Sequence, residues 1–226
     1  NRDRDDYETS GRMRFIYRPS PSFIGVLEAR YAGRWRDDAR DGWLYDGEMR
    51  LGETFGYWID PLGWNLDIQA GRIDFDERRE WLFDQNLDGL RLFHYGRFVV
   101  TDFSVTTTLD DGSLRDENAV NTMLYLSNGS DRKHLAAYVI HRDFDLPLPE
   151  KRTHYGLRAF GRWLPNSHTW LEVSRMQGET GAIDSAGWGF DIGNTYAFDN
   201  GFNFTLGYAF GEGDDPTSAR DDNFRP

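Results

Sequence analysis

The chain contains no cysteine among its 226 residues. This excludes disulfide frameworks and cysteine-based metal or redox sites, and it suits an oxidising envelope compartment where stray thiols are a liability. Long apolar runs are missing too. No stretch approaches the roughly 18 apolar residues that a membrane-spanning helix needs, so this kind of span is excluded. A membrane β-barrel stays open, because its strands are apolar on one side only.

Positive charge is scarcer than negative charge, with 26 Lys and Arg against 38 Asp and Glu, a net charge of −12. We therefore expect no nucleic-acid partner. Hydrophobic residues make up only 38% of the chain, and mean hydropathy is −0.70. Aromatic residues nevertheless reach 15%, which disfavours disorder because disordered chains are poor in them.

Apolar and polar residues alternate along the chain with the period of a β-strand, as in GFNFTLGYAFG (201–211). Helical periodicity is hard to find. The alternation predicts twelve strands, at 9–18, 23–36, 45–58, 63–74, 87–95, 97–108, 119–127, 133–143, 152–163, 168–176, 186–198 and 202–211.

The predicted connections alternate between tight turns and longer acidic loops. DPLG (60–63) and FDNG (198–201) are tight, whereas LDDGSLRDEN (109–118) is long. Short turns on one rim and long loops on the other are typical of an up-and-down outer-membrane barrel. We therefore predict an all-β, antiparallel, up-and-down transmembrane β-barrel in the bacterial outer membrane, in contact with its lipid.

Successive residues of a strand point to opposite sides, so odd and even positions (their parity) lie on different faces. By this rule each predicted strand has one apolar and one charged face. In the second strand, Leu27 and Trp35 share a face, opposite Glu28 and Arg30. A soluble sandwich alternates as well. The barrel is favoured because charges are nearly absent from the apolar faces and because aromatic residues lie near strand ends, as membrane interfaces require. These aromatic residues are Tyr17, Trp35, Trp58, Trp64, Trp163 and Tyr208.

The predicted inner faces are rich in arginine. Candidate pore-lining residues from this pattern are Arg12, Arg14, Arg30, Arg34, Arg50, Arg91, Arg158 and Arg162, with the acids Glu28 and Asp191. One interpretation is that arginines and carboxylates pair across strands and fill the lumen. The other is a cationic constriction, because arginine holds carboxylates bidentately and stays charged at any working pH.

Three segments resemble the alginate export family of outer-membrane proteins: ETFGYWIDPLGWNLDIQAGRIDF (53–75), WLFDQNLDGLRL (81–92) and GYAFGEGDDPTSARDDNFRP (207–226). The resemblance implies a barrel of about eighteen strands, within the known range of such barrels, that exports an anionic exopolysaccharide with the help of periplasmic export proteins. It also implies that Glu53, Arg72 and Arg91 line the pore. Parity places Arg72 on the lipid face instead, so a bulge would have to turn it inward.

We expect residues 1–226 to form a single β-barrel domain that is a fragment of the larger barrel, with closure at twelve strands as the alternative. A porin for small solutes is the main competing function. An outer-membrane lipase is a weaker one, since no nucleophile motif occurs and no enzyme activity is expected. No cofactor is expected; Ca²⁺ binding by GEGDD (211–215) with Asp221 and Asp222 is the alternative to a solvated acidic loop.

Overall fold

The computed structural model describes residues 6–38, 42–76, 84–107, 119–130, 132–144, 148–213, 221 and 224. Its strands are β1 (Asp6–Ser20), β2 (Phe23–Asp38), β3 (Gly42–Trp58), β4 (Leu66–Asp76), β5 (Asp84–Tyr95), β6 (Val100–Thr107), β7 (Ala119–Ser130), β8 (Lys133–Phe144), β9 (Glu150–Gly161), β10 (Ser167–Thr180), β11 (Ile183–Ala197) and β12 (Asn203–Gly211). No helix among these residues is long and apolar enough to cross a membrane.

All twelve strands form one antiparallel sheet in which each strand pairs with its neighbours in the sequence. The predicted all-β, up-and-down order is therefore confirmed, and the strand bounds differ from the predicted ones by a few residues. Within the described ranges, β1 pairs with β2 alone and β12 with β11 alone. The single domain, its being a fragment of a larger barrel, and the alternative of closure at twelve strands all stay predictions.

The two faces of the sheet differ in chemistry as the alternation predicts. Phe15 lies opposite Leu27, whereas Arg14 lies opposite Glu28. Leu27 is 48% exposed and Glu28 is 0% exposed. We call the face of Leu27 the outer face and the face of Glu28 the inner face. Exposed outer-face residues include Phe15, Leu51, Leu90, Val105, Leu126, Leu135, Leu157, Leu171, Ile192 and Leu206.

The inner face is buried although no second layer of described structure covers it. His154, Glu172 and Ser174 on this face are almost inaccessible to solvent. Neighbouring side chains of the same face must therefore cover one another, which happens when a sheet curves around that face. The curvature explains why polar residues are buried while leucines on the other side are exposed.

Part of the inner face is apolar, which differs from the predicted charged lining. Ile73, Phe75, Leu87 and Tyr138 form a buried cluster on β4, β5 and β8. Each of the four residues lies on the inner face by the alternation of its own strand. The inner face is therefore apolar rather than charged near the acidic-loop end. This cluster is the main apolar core of the described residues.

Exposed aromatic residues surround the end of the sheet that carries the tight turns. At β3–β4, the Asp60 carboxylate accepts hydrogen bonds from the backbone N–H of Trp64 at 2.7 Å and of Leu66 at 3.3 Å, which fixes the turn. Trp64 is 67% exposed and Tyr17, near the β1–β2 turn, is 67% exposed. This arrangement matches the interfacial aromatic belt predicted from the sequence.

Candidate functional site: an arginine cluster on the inner face

A β-bulge in the pairing of β2 with β3 brings the residues of the site together. Leu27 pairs with Thr54 and Ala29 pairs with Leu51, so Gly52 and Glu53 both lie opposite Glu28. A Cβ atom at Gly52 would lie 2.2 Å from Glu28 Oε1 and 2.9 Å from Arg30 Nε. Glycine is therefore needed at position 52 for Glu28 and Arg30 to pack there.

Three arginines converge on two glutamates at this bulge. Arg12 Nη2 lies 2.5 Å from Glu28 Oε2, and Arg30 Nε donates a hydrogen bond to Glu28 Oε1 at 2.6 Å. Arg14 Nη2 lies 2.6 Å from Glu53 Oε2. We call these five residues the arginine cluster. Its charge-assisted hydrogen bonds belong to the stronger class of polar contacts in proteins.

The cluster is layered, with carboxylates beneath and guanidinium groups above. The side chains of Glu28 and Glu53 are 0% and 15% exposed, whereas those of Arg12, Arg14 and Arg30 are 53%, 39% and 40% exposed. A solute on the inner side therefore meets guanidinium groups first. Such a surface attracts anions and binds carboxylates bidentately, because the guanidinium is planar and permanently charged.

Other predicted inner-face residues lie where parity places them but are held in partly or fully buried pairs. Arg91 Nη2 lies 2.6 Å from Asp102 Oδ2. Arg158 Nη2 lies 2.7 Å from Glu172 Oε1, which also accepts a hydrogen bond from the Tyr138 hydroxyl at 2.7 Å. These pairs brace neighbouring strands, as cross-strand ion pairs do.

Asp191 also lies on the inner face, opposite Glu172. Its Oδ1 accepts a hydrogen bond from Trp170 Nε1 at 2.9 Å. Arg34 and Arg50 lie on the inner face nearer the acidic loops. Arg34 Nε is 3.6 Å from Glu8 Oε1 and Arg50 Nε is 2.5 Å from Glu48 Oε1, all with substantially exposed side chains.

Positive and negative charges occur in similar numbers over the described inner face. The arginines there include Arg12, Arg14, Arg30, Arg34, Arg36, Arg50, Arg91, Arg142, Arg152 and Arg158. The carboxylates include Glu8, Glu28, Asp46, Glu48, Glu53, Asp67, Asp102, Glu150, Glu172 and Asp191. Paired charges thus fill much of this face, and the arginine cluster is where exposed guanidinium groups lie over buried carboxylates.

Two candidate pore-lining residues lie elsewhere. Arg72 pairs in register with Thr54 and Asp88 on the outer face, and its Nη1 lies 3.5 Å from Asp88 Oδ2. No bulge turns it inward, so its predicted pore-lining position is wrong. Arg162 follows the end of β9 and is exposed in the turn, where its backbone N–H donates to the Arg132 carbonyl at 2.6 Å. It therefore lies outside the strand wall.

Glycines on the inner face of β11 make room for large neighbouring side chains. A Cβ atom at Gly189 would lie 2.6 Å from the Phe224 ring. That ring also contacts His154 edge-on, with centroids 6.0 Å apart. The Phe224 backbone N–H donates to the Glu212 carbonyl at 2.9 Å, which anchors the residue at this position. Gly189 thus provides a seat for Phe224.

No group of three or more metal-ligating side chains occurs in the described parts of the chain. Ca²⁺ binding is the alternative prediction for the acidic segment after β12. Most of that segment, including 214–220 and 222, lies outside the described parts. The Ca²⁺ assignment therefore stays a prediction.

A curved antiparallel meander with an apolar outer face and a charged inner face is the architecture of outer-membrane β-barrel proteins, and the fold belongs to that class. No protein-family model matches the chain, and no curated protein matches it. Among solved structures, one similar to this chain is OmpT, an outer membrane protein of Vibrio cholerae, folded in vitro and in trimer form. The TM-score is 0.43 and the identity 10%, over 99% of this chain and 95% of that one.

Replacing Glu28 by Gln leaves the Arg12 and Arg30 guanidinium groups without their shared negative charge. Since hydrogen bonds to charged groups contribute about 1.5–3 kcal/mol each, we expect a loss of about that size in the free energy of unfolding. Urea unfolding in lipid vesicles measures it. The control Glu48→Gln removes the charge from an exposed pair with Arg50 and should cost much less, because solvent screens that pair. Equal costs at both positions would contradict the layered cluster.

Proposed function

We propose that the chain forms the wall of an outer-membrane channel whose inner face conducts anionic solutes past the arginine cluster. The observation that carries this proposal is the distribution of exposure. Leu206 is 68% exposed and Leu157 is 65% exposed, whereas Glu28, His154 and Ser174 are each 0% exposed. A soluble sandwich buries its leucines and exposes its charges, so the reverse order favours lipid outside and a polar interior.

The membrane location has a consequence for the sheet edges. Within a bilayer every backbone N–H and C=O must be satisfied by the protein, so strands cross only as a closed barrel. We therefore propose that the free edges of β1 and β12 are paired in the membrane. The barrel of about eighteen strands implied by the resemblance is the size we propose, within the range known for such barrels.

The proposed solute is an anionic, alginate-like exopolysaccharide, delivered by periplasmic export proteins. The exposed guanidinium groups of Arg12, Arg14 and Arg30 support this choice, since uronate carboxylates match their geometry. The buried glutamates beneath them weaken the attraction for an anion. A channel must bind its solute strongly enough for the solute to enter and weakly enough for it to leave. Guanidinium groups whose charge is partly neutralised by glutamates meet both conditions. Passage of this kind involves no bond making, so we propose no enzyme activity.

A porin for small polar solutes is the second candidate. The balance of charge over the inner face favours it, because a neutral lining with local pairs discriminates weakly between anions and cations. The two candidates differ in what happens when a polyuronate is added to a conducting channel. A polymer exporter should show transient block of the current, whereas a small-solute porin should show none.

Substitution of Leu206 by Arg tests the membrane location. Leu206 lies in the middle of the outer face of β12, so a charge there should cost about 2–4 kcal/mol in vesicles. Ala209→Arg is the matched control, since Ala209 lies on the inner face of the same strand, opposite Asp191. Its cost should stay within about 0.5 kcal/mol. Unfolding in vesicles measures both, and equal costs would count against a lipid-facing outer surface.

Replacement of Arg12, Arg14 and Arg30 together by Ser tests conduction in planar bilayers. We expect a several-fold fall in the anion-to-cation permeability ratio and loss of transient block by added polyuronate, because the exposed cations are gone. The effect should shrink at about 1 M salt, where the screening length is about 3 Å.

Arg175→Ser serves as the control for this measurement. Arg175 lies on the outer face of β10, with its guanidinium carbon 5.0 Å from the centroid of the Trp188 ring. The substitution removes one arginine charge away from the inner face, so selectivity should not change. Unaltered selectivity in the triple variant would overturn the anion channel, and absence of any current from the unsubstituted protein would overturn the channel itself.

A further inference from the structure

The outer face carries an apolar groove of about 500 Å³ across β7 to β10, with Val99 at one edge. Register explains its shape. Ala137 lies between Leu126 and Leu157, and Ala159 lies between Leu135 and Leu171. Two small side chains on neighbouring strands are thus enclosed by four large ones. We call this feature the outer groove.

The outer groove leads to a cluster of cations at the tight-turn end. Lys133 pairs with Gly161 one step beyond the pair of Leu135 and Ala159 on the same face. A Cβ atom at Gly161 would lie 2.2 Å from the Arg132 carbonyl oxygen, so glycine lets the backbone of the β7–β8 turn pack against β9 there. The Lys133 ammonium lies 5.5 Å from the centroid of the Trp163 ring, which holds it beside the groove mouth.

Two further cations belong to the turns at that end of the sheet. Arg132 and Arg162 are exposed in adjacent turns, and the Arg162 backbone N–H donates to the Arg132 carbonyl at 2.6 Å. The hydrogen bond keeps the two turns side by side. With Lys133, they place three positive charges at one end of an apolar channel, at the level of the aromatic belt where headgroups lie.

From this arrangement we infer that the outer groove binds one phospholipid, with an acyl chain against Ala137 and Ala159 and the phosphate against Lys133, Arg132 and Arg162. Charge complementarity selects this occupant. A second copy of the chain in the same membrane orientation would bring apolar groups to the groove, and its outer-face carboxylates, such as Asp88 and Asp143, lie near the acidic-loop end, away from the cations. An amphiphile with an anionic head and an aliphatic tail satisfies both parts. The inference rests on the proposed membrane location.

The test is native mass spectrometry of the delipidated protein in detergent, titrated with phosphatidylglycerol. Lys133→Glu with Arg162→Glu should weaken binding by at least about fivefold for each charge removed, since a basic residue near an anionic lipid contributes about a factor of that size. Ala159→Trp, which fills the groove, should abolish binding of the tail. Inorganic phosphate should not compete at the same concentration.

Controls repeat these changes away from the groove. Arg18→Glu reverses an exposed charge at the tight-turn end of β1, and Ala29→Trp enlarges a small outer-face residue of β2. Both should bind phosphatidylglycerol like the unsubstituted protein. The charge-reversed variant keeps the test decisive if Ala159→Trp does not fold, because its substitutions are at exposed positions.

Equal affinity in the groove variants and the controls would overturn the inference, as would displacement by phosphate alone. Loss of a dimer rather than of lipid in Ala159→Trp would assign the groove to a second copy. Failure of the membrane location is separate, because it would appear as equal costs of Leu206→Arg and Ala209→Arg. If those costs differ but the groove variants bind phosphatidylglycerol like the unsubstituted protein, only the inference of a lipid site fails.

Discussion

Along most of this sheet each strand has one face suited to lipid and one suited to water and to other polar side chains; the acidic-loop ends of β4 and β5, with Ile73 and Leu87 inside, are the exception. The constraint is geometric: successive residues point to opposite sides, so one segment of chain can meet two environments only by alternating two chemistries. A slip of one residue in any strand would move its whole apolar set inward. The observed register keeps leucines, tyrosines and phenylalanines outside on neighbouring strands and collects arginines and carboxylates inside.

That inward collection explains the arrangement of the charged residues. Buried charges are costly unless they are paired and hydrogen-bonded. Glu28 therefore lies between two arginines, and Glu172 lies between Arg158 and Tyr138. Where the inner surface has room, the long arginine side chains extend away from the sheet, beyond the acids they pair with. Their guanidinium groups therefore stay accessible on the inner side. The same pairing that stabilises the wall thus produces a cationic patch on a face with balanced charge.

Much of this architecture can be predicted from alternation alone. Twelve strands, their order and the direction of residues such as Leu27 and Glu28 all follow from period-two patterning. Details that depend on two distant segments do not. The bulge at Gly52 appears only when β2 and β3 are paired, and the seat of Phe224 on Gly189 joins positions far apart in the chain. Alternation also did not predict the apolar cluster around Leu87 on the inner face. The pattern separates two faces, but it does not show that curvature of the sheet buries one of them.

Arg72 shows the limit of carrying a residue over from a resemblance. The motif around Gly71 and Arg72 matches the family pattern, but the register fixes Arg72 beside Asp88 on the outer face. Parity had already placed it there. Where a motif and the alternation disagreed, the physical rule was the better guide, because the pleat leaves no choice of side without a bulge.

The central claim is that the outer face meets lipid and the inner face meets water. Because the chain has no cysteine, single cysteines can be introduced one at a time at positions 27–34 of β2 and spin-labelled in vesicles. The account predicts that accessibility to oxygen, which dissolves in lipid, peaks at 27, 29, 31 and 33. Accessibility to a water-soluble nickel chelate should peak at the alternate positions. The opposite phase, or chelate access to both faces, would contradict it.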